Sequence, residues 1–353
     1  MNTTTEEVPR ERTEAYILFL LWLSGIMMLL LPMLATLLFY KIKEKLQEKY
    51  KCCRNKAKQL NYTKTLISPD KMIVHIPGGL HLESFDQKDH TVQLTSLLQL
   101  MESASMFAYW NVDNKYQNLS FWDIIRNAFH KNLFFVAALK CEIYEEFYHI
   151  SARKYNLDVH IELSNLGRSS FTLTFTLKAP SQPSPQAKLD FTSICIDLNT
   201  RKPCPLPQET RDIFTHHHIE KNQVHQRMER LTKPDDCIPF PVSIYYTDTD
   251  ENQHTNWITY IRACYNACMT GLINKRYDSL SEKYAKRGVK SFEMTFMQES
   301  KLADTLDVFS WKSSNQEETG IAFDIRKGTS LCCQAKMSFH TAESNATNKQ
   351  SKL

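Results

Sequence analysis

Apolar positions along this chain follow three rhythms. Between Tyr16 and Tyr40 they are continuous: YILFLLWLSGIMMLLLPMLATLLFY is 25 residues without a charge. That is long enough for a helix to cross a bilayer, and tyrosines stand at both ends, where interfacial rings are favoured. Pro32 kinks such a span without forbidding it. Much later, Trp257, Ile261, Cys264, Cys268 and Leu272 fall on one stripe at the 3.6-residue period, which predicts a long helix lying on a sheet. After it the period drops to two. VKSFEMTFMQ alternates Phe292, Met294 and Phe296 with polar neighbours, TLDVFSWK and TGIAFDIR follow, and TSLCCQAKMSF alternates Leu331, Cys333, Ala335, Met337 and Phe339. These runs predict antiparallel strands.

The same order is found earlier in the chain. A helix with Leu94, Leu97, Leu98 and Met101 on one face precedes LDVHIELSN, RSSFTLTFTLKA and KLDFTSICIDL. In the second of these, Phe171, Leu173, Phe175 and Leu177 alternate with threonines. Setting His90 against His254 also sets Asp86 against Asp250 and Lys88 against Asn252. A duplicated unit whose first copy has lost part of a polar triplet accounts for the pattern. The expected organisation is an acidic N-terminus (1–15), a transmembrane helix (16–40) and a basic juxtamembrane segment (41–70). A first, degenerate domain (71–200), a linker (201–237), a second domain (238–340) and a short tail (341–353) follow. The linker is proline-bearing and charged, with a partly helical stretch expected, and its histidine run, His216 to His218, reads as a solvated tract, because three consecutive side chains cannot point one way.

Charge sharpens the picture at the membrane. Residues 41–58 carry eight Lys/Arg against two Glu, so the positive-inside rule puts everything after Tyr40 in the cytosol. Removing the +6 of this segment and the −2 of the first fifteen residues from the formal +4 leaves the remainder neutral. A neutral soluble region argues against nucleic-acid binding. Only 8 glycines occur in 353 residues and no glycine-rich phosphate loop can be written, which weakens nucleotide-binding readings. The 10 cysteines are expected as reduced thiols: Cys264 and Cys268 as small packing residues, Cys52 and Cys53 as surface thiols or palmitoylation sites. No pair has zinc-ribbon spacing, and no metal or cofactor is expected.

The candidate chemistry lies in YYTDTDENQHTNWITYIRACYNAC, Tyr245 to Cys268. Asp250, Asn252 and His254 occupy alternate positions, which on an extended segment project to one side. The helix that follows offers unsatisfied N–H groups and the positive end of its dipole at the same place. Proton-handling groups beside oxyanion donors suit attack on an acyl group. No Gly-x-Ser-x-Gly elbow is present, so water or a carboxylate, not a serine, is the expected attacker.

TDENQHTNWITY resembles the D-x-N-x-H-x-N segment that opens the long helix of hotdog-fold thioesterases, in particular the acyl-ACP thioesterases of plants and bacteria. A counterpart to that family's strand glutamate is Glu299 in FEMTFMQESK. The resemblance implies an α+β fold, a tandem (double) hotdog in which each unit packs a long helix on an antiparallel sheet. It implies a catalytic group of Asp250, Asn252, His254 and Glu299, with Asn256, Trp257 and Tyr260 beside the substrate. The implied activity is hydrolysis of acyl-CoA or an acyl-ACP, with no cofactor, and a dimer of double hotdogs is a further expectation. This chain departs from the family at Ser300, where plant enzymes often carry cysteine, at Trp257, where a second asparagine is common, and in a longer stretch before Glu299.

Two other readings compete. A degenerate hotdog could bind acyl chains or a partner without turnover. An enoyl-thioester hydratase shares the fold, but its Asp-x-Asn-Pro-x-His separates Asp from His by five positions, whereas four separate Asp250 from His254 and no proline intervenes. For location, a single-pass protein of the endoplasmic reticulum or a related membrane is expected first. The terminal Ser351–Lys352–Leu353 makes the peroxisome the alternative, and the glycosylation triplets at Asn61, Asn118 and Asn345 should be unused in the cytosol.

Overall fold

The computed structural model describes residues 61–341, apart from 87–90, 111–119, 129–131, 149–155, 180–181, 183, 216–227, 251, 278–279, 281–283, 285–286 and 314–318. The apolar run 16–40, Cys52 and Cys53, Lys88 and His90, Asn118, the histidine run and the C-terminal tripeptide lie outside the described residues. Among the described residues no helix is long and apolar enough to cross a membrane.

In chain order the elements are β1 (Thr63–Ser68), β2 (Lys71–Ile76), α1 (Leu94–Trp110), α2 (Phe121–Ala128), β3 (Asn132–Ile143), α3 (Glu145–Tyr148), β4 (Leu157–Leu166), β5 (Ser170–Lys178) and β6 (Ala187–Asp197). Then come α4 (Gln208–Thr215), β7 (Phe240–Ser243), α5 (Trp257–Ile273), β8 (Val289–Phe296), β9 (Thr305–Lys312), β10 (Ile321–Lys327) and β11 (Ser330–Phe339). Among the described residues the strands form one antiparallel sheet of eleven, ordered β1-β2-β4-β5-β6-β3-β8-β11-β10-β9-β7.

That order repeats itself in mirror sequence. From the outer edge inward, the first half runs β2-β4-β5-β6-β3 and the second β7-β9-β10-β11-β8. In each half the long helix follows the outermost of these strands and precedes the innermost. At the seam, β3 and β8 pair antiparallel, Leu139 opposite Met294 and Lys140 opposite Glu293. The alternating apolar positions meet the core as expected: Phe171, Leu173, Phe175, Leu177, Phe292, Met294, Met337 and Phe339 are buried. Each such side chain contributes roughly 1.5–3 kcal/mol relative to exposure. The α5 stripe is buried too, with Ile261, Cys264 and Cys268 at 0% exposure, and the helix lies against β9 and α1. Burial pushes the Cys268 thiol up to about 12, so it packs as an inert protonated thiol.

Gly271 marks how close this packing is. A Cβ built there would stand 2.4 Å from the hydroxyl oxygen of Tyr277 and 2.5–2.6 Å from its ring carbons. The Tyr277 ring is buried and its hydroxyl bonds Ser310 at 2.7 Å. Gly271→Ala is expected to destabilise the fold by about 1–3 kcal/mol, read as a lower urea midpoint with an unchanged m-value.

Three features were not read from the sequence periodicity. Residues 63–68, inside the segment expected to be juxtamembrane, form the edge strand β1, whose alternation of half-buried and exposed positions gives little apolar signal. β3, at the seam of the sheet, carries the nearly continuous apolar run NLFFVAAL, which has no alternation to announce it. The segment 201–237 is more than a linker. It begins with an isolated bridge of Pro203 to Ile196, continues into α4, and later grips the sheet where Leu231 exchanges two hydrogen bonds with the Gln334 side chain.

Candidate active site

The chain enters α5 through a buried carboxylate and a closed turn. Asp248, in a 3-10 turn, accepts from the Tyr245 N–H at 2.9 Å and pairs with Arg262, while its carbonyl accepts from the Asn256 N–H at 2.8 Å. Beyond it, Asp250 N–H donates to the His254 carbonyl at 2.8 Å, and Thr249 bridges Thr255. The Asp250 Oδ1 accepts from the backbone N–H groups of Asn252 (2.8 Å) and His254 (3.0 Å). Gln253 adopts φ +62°. The expectation of an extended segment is therefore corrected: an aspartate able to capture backbone donors two and four residues on folds this stretch into a turn. Asp250, Asn252 and His254 do not project in parallel. Asp250 and Asn252 are exposed on the turn, and His254 is directed inward, 9% exposed.

Inside, His254 meets Glu299. Its Nε2 lies 3.2 Å from Glu299 Oε2, within reach for proton exchange. Its Nδ1 is buried with no hydrogen-bond partner among the described residues, and its ring lies 5.5 Å from that of Phe135 on β3. Glu299 also receives Arg201, whose Nη2 is 3.0 Å from Oε2 and 3.3 Å from Oε1, and Lys301 at 3.6 Å. Arg201 stands in the turn after β6 with φ +57°, its guanidinium 5.2 Å from the Phe135 ring centre. Thus Phe135 on β3 and Arg201 in the turn after β6 reach from the first half to a site whose named residues sit in the second.

Ser300 explains why Glu299 is held here. It is fully buried, its Oγ lying 2.6 Å from Thr255 Oγ1 and 2.7 Å from the Tyr260 hydroxyl. Its N–H donates to Tyr260 Oη at 3.1 Å, and its carbonyl accepts from the Thr255 N–H at 2.8 Å. Glu299, expected on the strand, lies in the loop that follows β8, and this loop is thereby tied to both the turn and the helix. Tyr260, expected beside the substrate, is a buried strut of this knot, and burial raises its phenol pKa. Ser300→Ala leaves two buried hydroxyls short of a partner and should cost about 1–3 kcal/mol of stability by chemical denaturation.

At the helix start, Asn256 caps α5 by accepting from the Ile258 N–H at 2.8 Å. Its Nδ2 and the Trp257 indole Nε1–H both donate to Glu102 Oε1, each at 3.1 Å. The backbone N–H of Trp257, first residue of α5, has no acceptor among the described residues, so a free donor and the helix dipole share one spot. Burial pushes the Glu102 carboxyl above its usual range, the two donated bonds pull it partway back, and the negative charge of nearby Asp250 adds to the rise.

Glu102, Arg201 and Phe135 were not among the residues expected here. Only Glu102 leaves a trace in the sequence, as the one charged side chain in the seventeen residues of α1. The first half carries the matching turn, with Asp86 N–H to Thr91 carbonyl at 2.7 Å, Gln93 N–H to Ser84 carbonyl at 2.8 Å and Phe85 bridged to Val92. This register sets Thr91, not His90, against His254, and Gln93 against Asn256; a turn one residue longer shifts the alignment. Among the described residues no group of three or more His, Cys, Asp or Glu is placed to share a metal ion. A cavity of about 330 Å³ lies by the far edge of the sheet, lined by His75, Asn156 and Asp158 among others, and contains none of the site residues.

No protein-family model matches the chain, and no curated protein matches it by sequence. Solved structures do. An acyl-ACP thioesterase from Bacteroides thetaiotaomicron superposes with a TM-score of 0.54 at 17% identity, over 76% of this chain and 98% of that one. A 12:0-ACP thioesterase from Umbellularia californica superposes with a TM-score of 0.58 at 13% identity, over 78% and 99%. These likenesses establish the fold: a large antiparallel sheet with few helices, of the hotdog-like kind.

Proposed function

We propose that the chain hydrolyses fatty acyl thioesters, with the second half of a tandem hotdog as its catalytic unit. The observation that carries this reading is the contact of His254 with Glu299 at 3.2 Å, beside the start of α5 with its free Trp257 N–H. In this mechanism the thioester carbonyl oxygen lies at the helix start, where the N–H and the dipole take up charge as the carbonyl carbon becomes tetrahedral. Glu299 and His254 accept a proton from the attacking water. The new C–O bond forms, the C–S bond breaks, and the proton passes to the leaving thiolate, releasing fatty acid and thiol. Asp250 holds the turn through Oδ1, and Asn252 on its rim orients water or substrate. Attack by Asp250 itself, through an acyl-carboxylate intermediate, is the alternative that the isosteric variants Asp250→Asn and Glu299→Gln distinguish.

The substrate carrier is coenzyme A or an acyl-carrier protein, and the neighbours named above support either through their fold. Residues 16–40 anchor the chain in a bilayer in this reading, and the basic flank holds the catalytic unit on the cytosolic side, of the endoplasmic reticulum first and the peroxisome second. The test is release of free thiol by the purified full chain from acyl-CoA and acyl-ACP of graded length. Turnover that peaks at one chain length supports the proposal. Tight acyl-CoA binding without thiol release would replace it with the binding-protein reading.

A further inference from the structure

We propose that Glu102, on the helix of the first half, is a positioning residue for the site of the second. The proposal rests on the reading of that site as the acyl-thioester site. Its basis is an unusual arrangement of donors. The two side chains that open α5, Asn256 and Trp257, both donate to a single oxygen of Glu102. Asn256 is at the same time the N-cap, its Oδ1 held by the Ile258 N–H, so fixing its amide fixes the direction in which the chain enters the helix. The Trp257 indole is fixed from two sides, by Glu102 and by the Phe191 ring 5.4 Å away on β6. Both partners belong to the half that lacks the histidine.

What is being held is the residue that bears the free N–H. A donor aimed at a developing oxyanion is effective only within a few tenths of an ångström of its proper place, and displacements near 1 Å can cost about a hundredfold in rate. α1 is otherwise apolar or uncharged along its length, and a half-buried carboxylate is unfavourable unless donors meet it. The first copy has thus kept a group that serves its neighbour after its own turn diverged.

The two hydrogen bonds converge on one oxygen, and this makes the test selective. A glutamine at 102 still presents a carbonyl oxygen with two lone pairs to both donors, without the charge. An alanine presents none. In the purified full chain, Glu102→Ala is expected to lower kcat on a long-chain acyl-CoA about a hundredfold with KM within about threefold. Glu102→Gln should stay within about fivefold of the parent. Exchange of the Trp257 indole N–H, followed by NMR in 15N-tryptophan-labelled protein and assigned with Trp257→Phe, should accelerate in Glu102→Ala alone. Should Glu102→Ala fail to fold, Glu102→Asp withdraws the oxygen by one methylene and supplies the same arm.

Parental activity and parental indole protection in Glu102→Ala would overturn the proposal. So would a glutamine variant as impaired as the alanine one, because charge and not hydrogen bonding would then be the requirement. If the parent releases no thiol from any acyl thioester, the proposed function fails by itself, and indole exchange alone then decides for or against the positioning role.

Discussion

Replacing His254 with alanine is expected to lower kcat/KM for an acyl thioester by about a thousandfold, equivalent to about 4 kcal/mol of transition-state stabilisation. The expected thermal unfolding midpoint, in contrast, is close to the parent's. The reason is geometric. Nδ1 of His254 has no hydrogen bond to lose among the described residues, and Nε2 has only the contact with Glu299. The turn around it is closed by backbone atoms and by Asp250, none of which depends on the imidazole. The hole left beside Phe135 should admit free imidazole, so partial recovery of rate on adding it would separate lost chemistry from lost structure. A variant that keeps within tenfold of parental activity would remove His254 from the mechanism.

The second large effect concerns the two carboxylates, whose surroundings differ. Glu299 faces His254, Arg201 and Lys301. Asp250 has one oxygen committed to two backbone donors. Glu299→Gln removes a proton acceptor and is expected to lower kcat by about a hundredfold or more. Asp250→Asn keeps a carbonyl oxygen for the turn and should lose only about tenfold, whereas Asp250→Ala, which frees both backbone donors, should lose activity and local stability together. Steady-state kinetics of the three variants on one acyl-CoA decide the matter. If Asp250→Asn is the more damaged of the two isosteric changes, the attacking group is Asp250 and the water mechanism is wrong.

What the sequence disclosed about this site depended on how locally each feature is determined. The α5 stripe and the alternation in β5, β8 and β11 are written within a few consecutive residues, so most of their buried apolar positions follow from period, although Thr172, Thr174 and Gln334 between them are buried as well. The polar triplet was recognisable for the same reason, yet its shape was misjudged: alternation suggested a straight segment, and the side chain of Asp250 bends it. Glu299 was legible only through the family resemblance. The residues that escaped notice act across long separations. Arg201 reaches Glu299 over 98 positions and Asn256 reaches Glu102 over 154, distances at which a single sequence holds no periodic trace. β3 escaped because NLFFVAAL is a nearly unbroken apolar run whose first six positions are all half-buried, so neither its sequence nor its burial alternates there.

The β3–β8 seam also settles how this molecule responds to dilution. Where one lobe must lend groups to another and the two are separate polypeptides, catalysis fades as subunits dissociate. Here both lobes are one polymer with one uninterrupted hydrogen-bonded ladder between them, so the lender is always present at its full effective concentration. Under the proposed function, dilution by itself therefore does not part the lending lobe from the one that uses its groups.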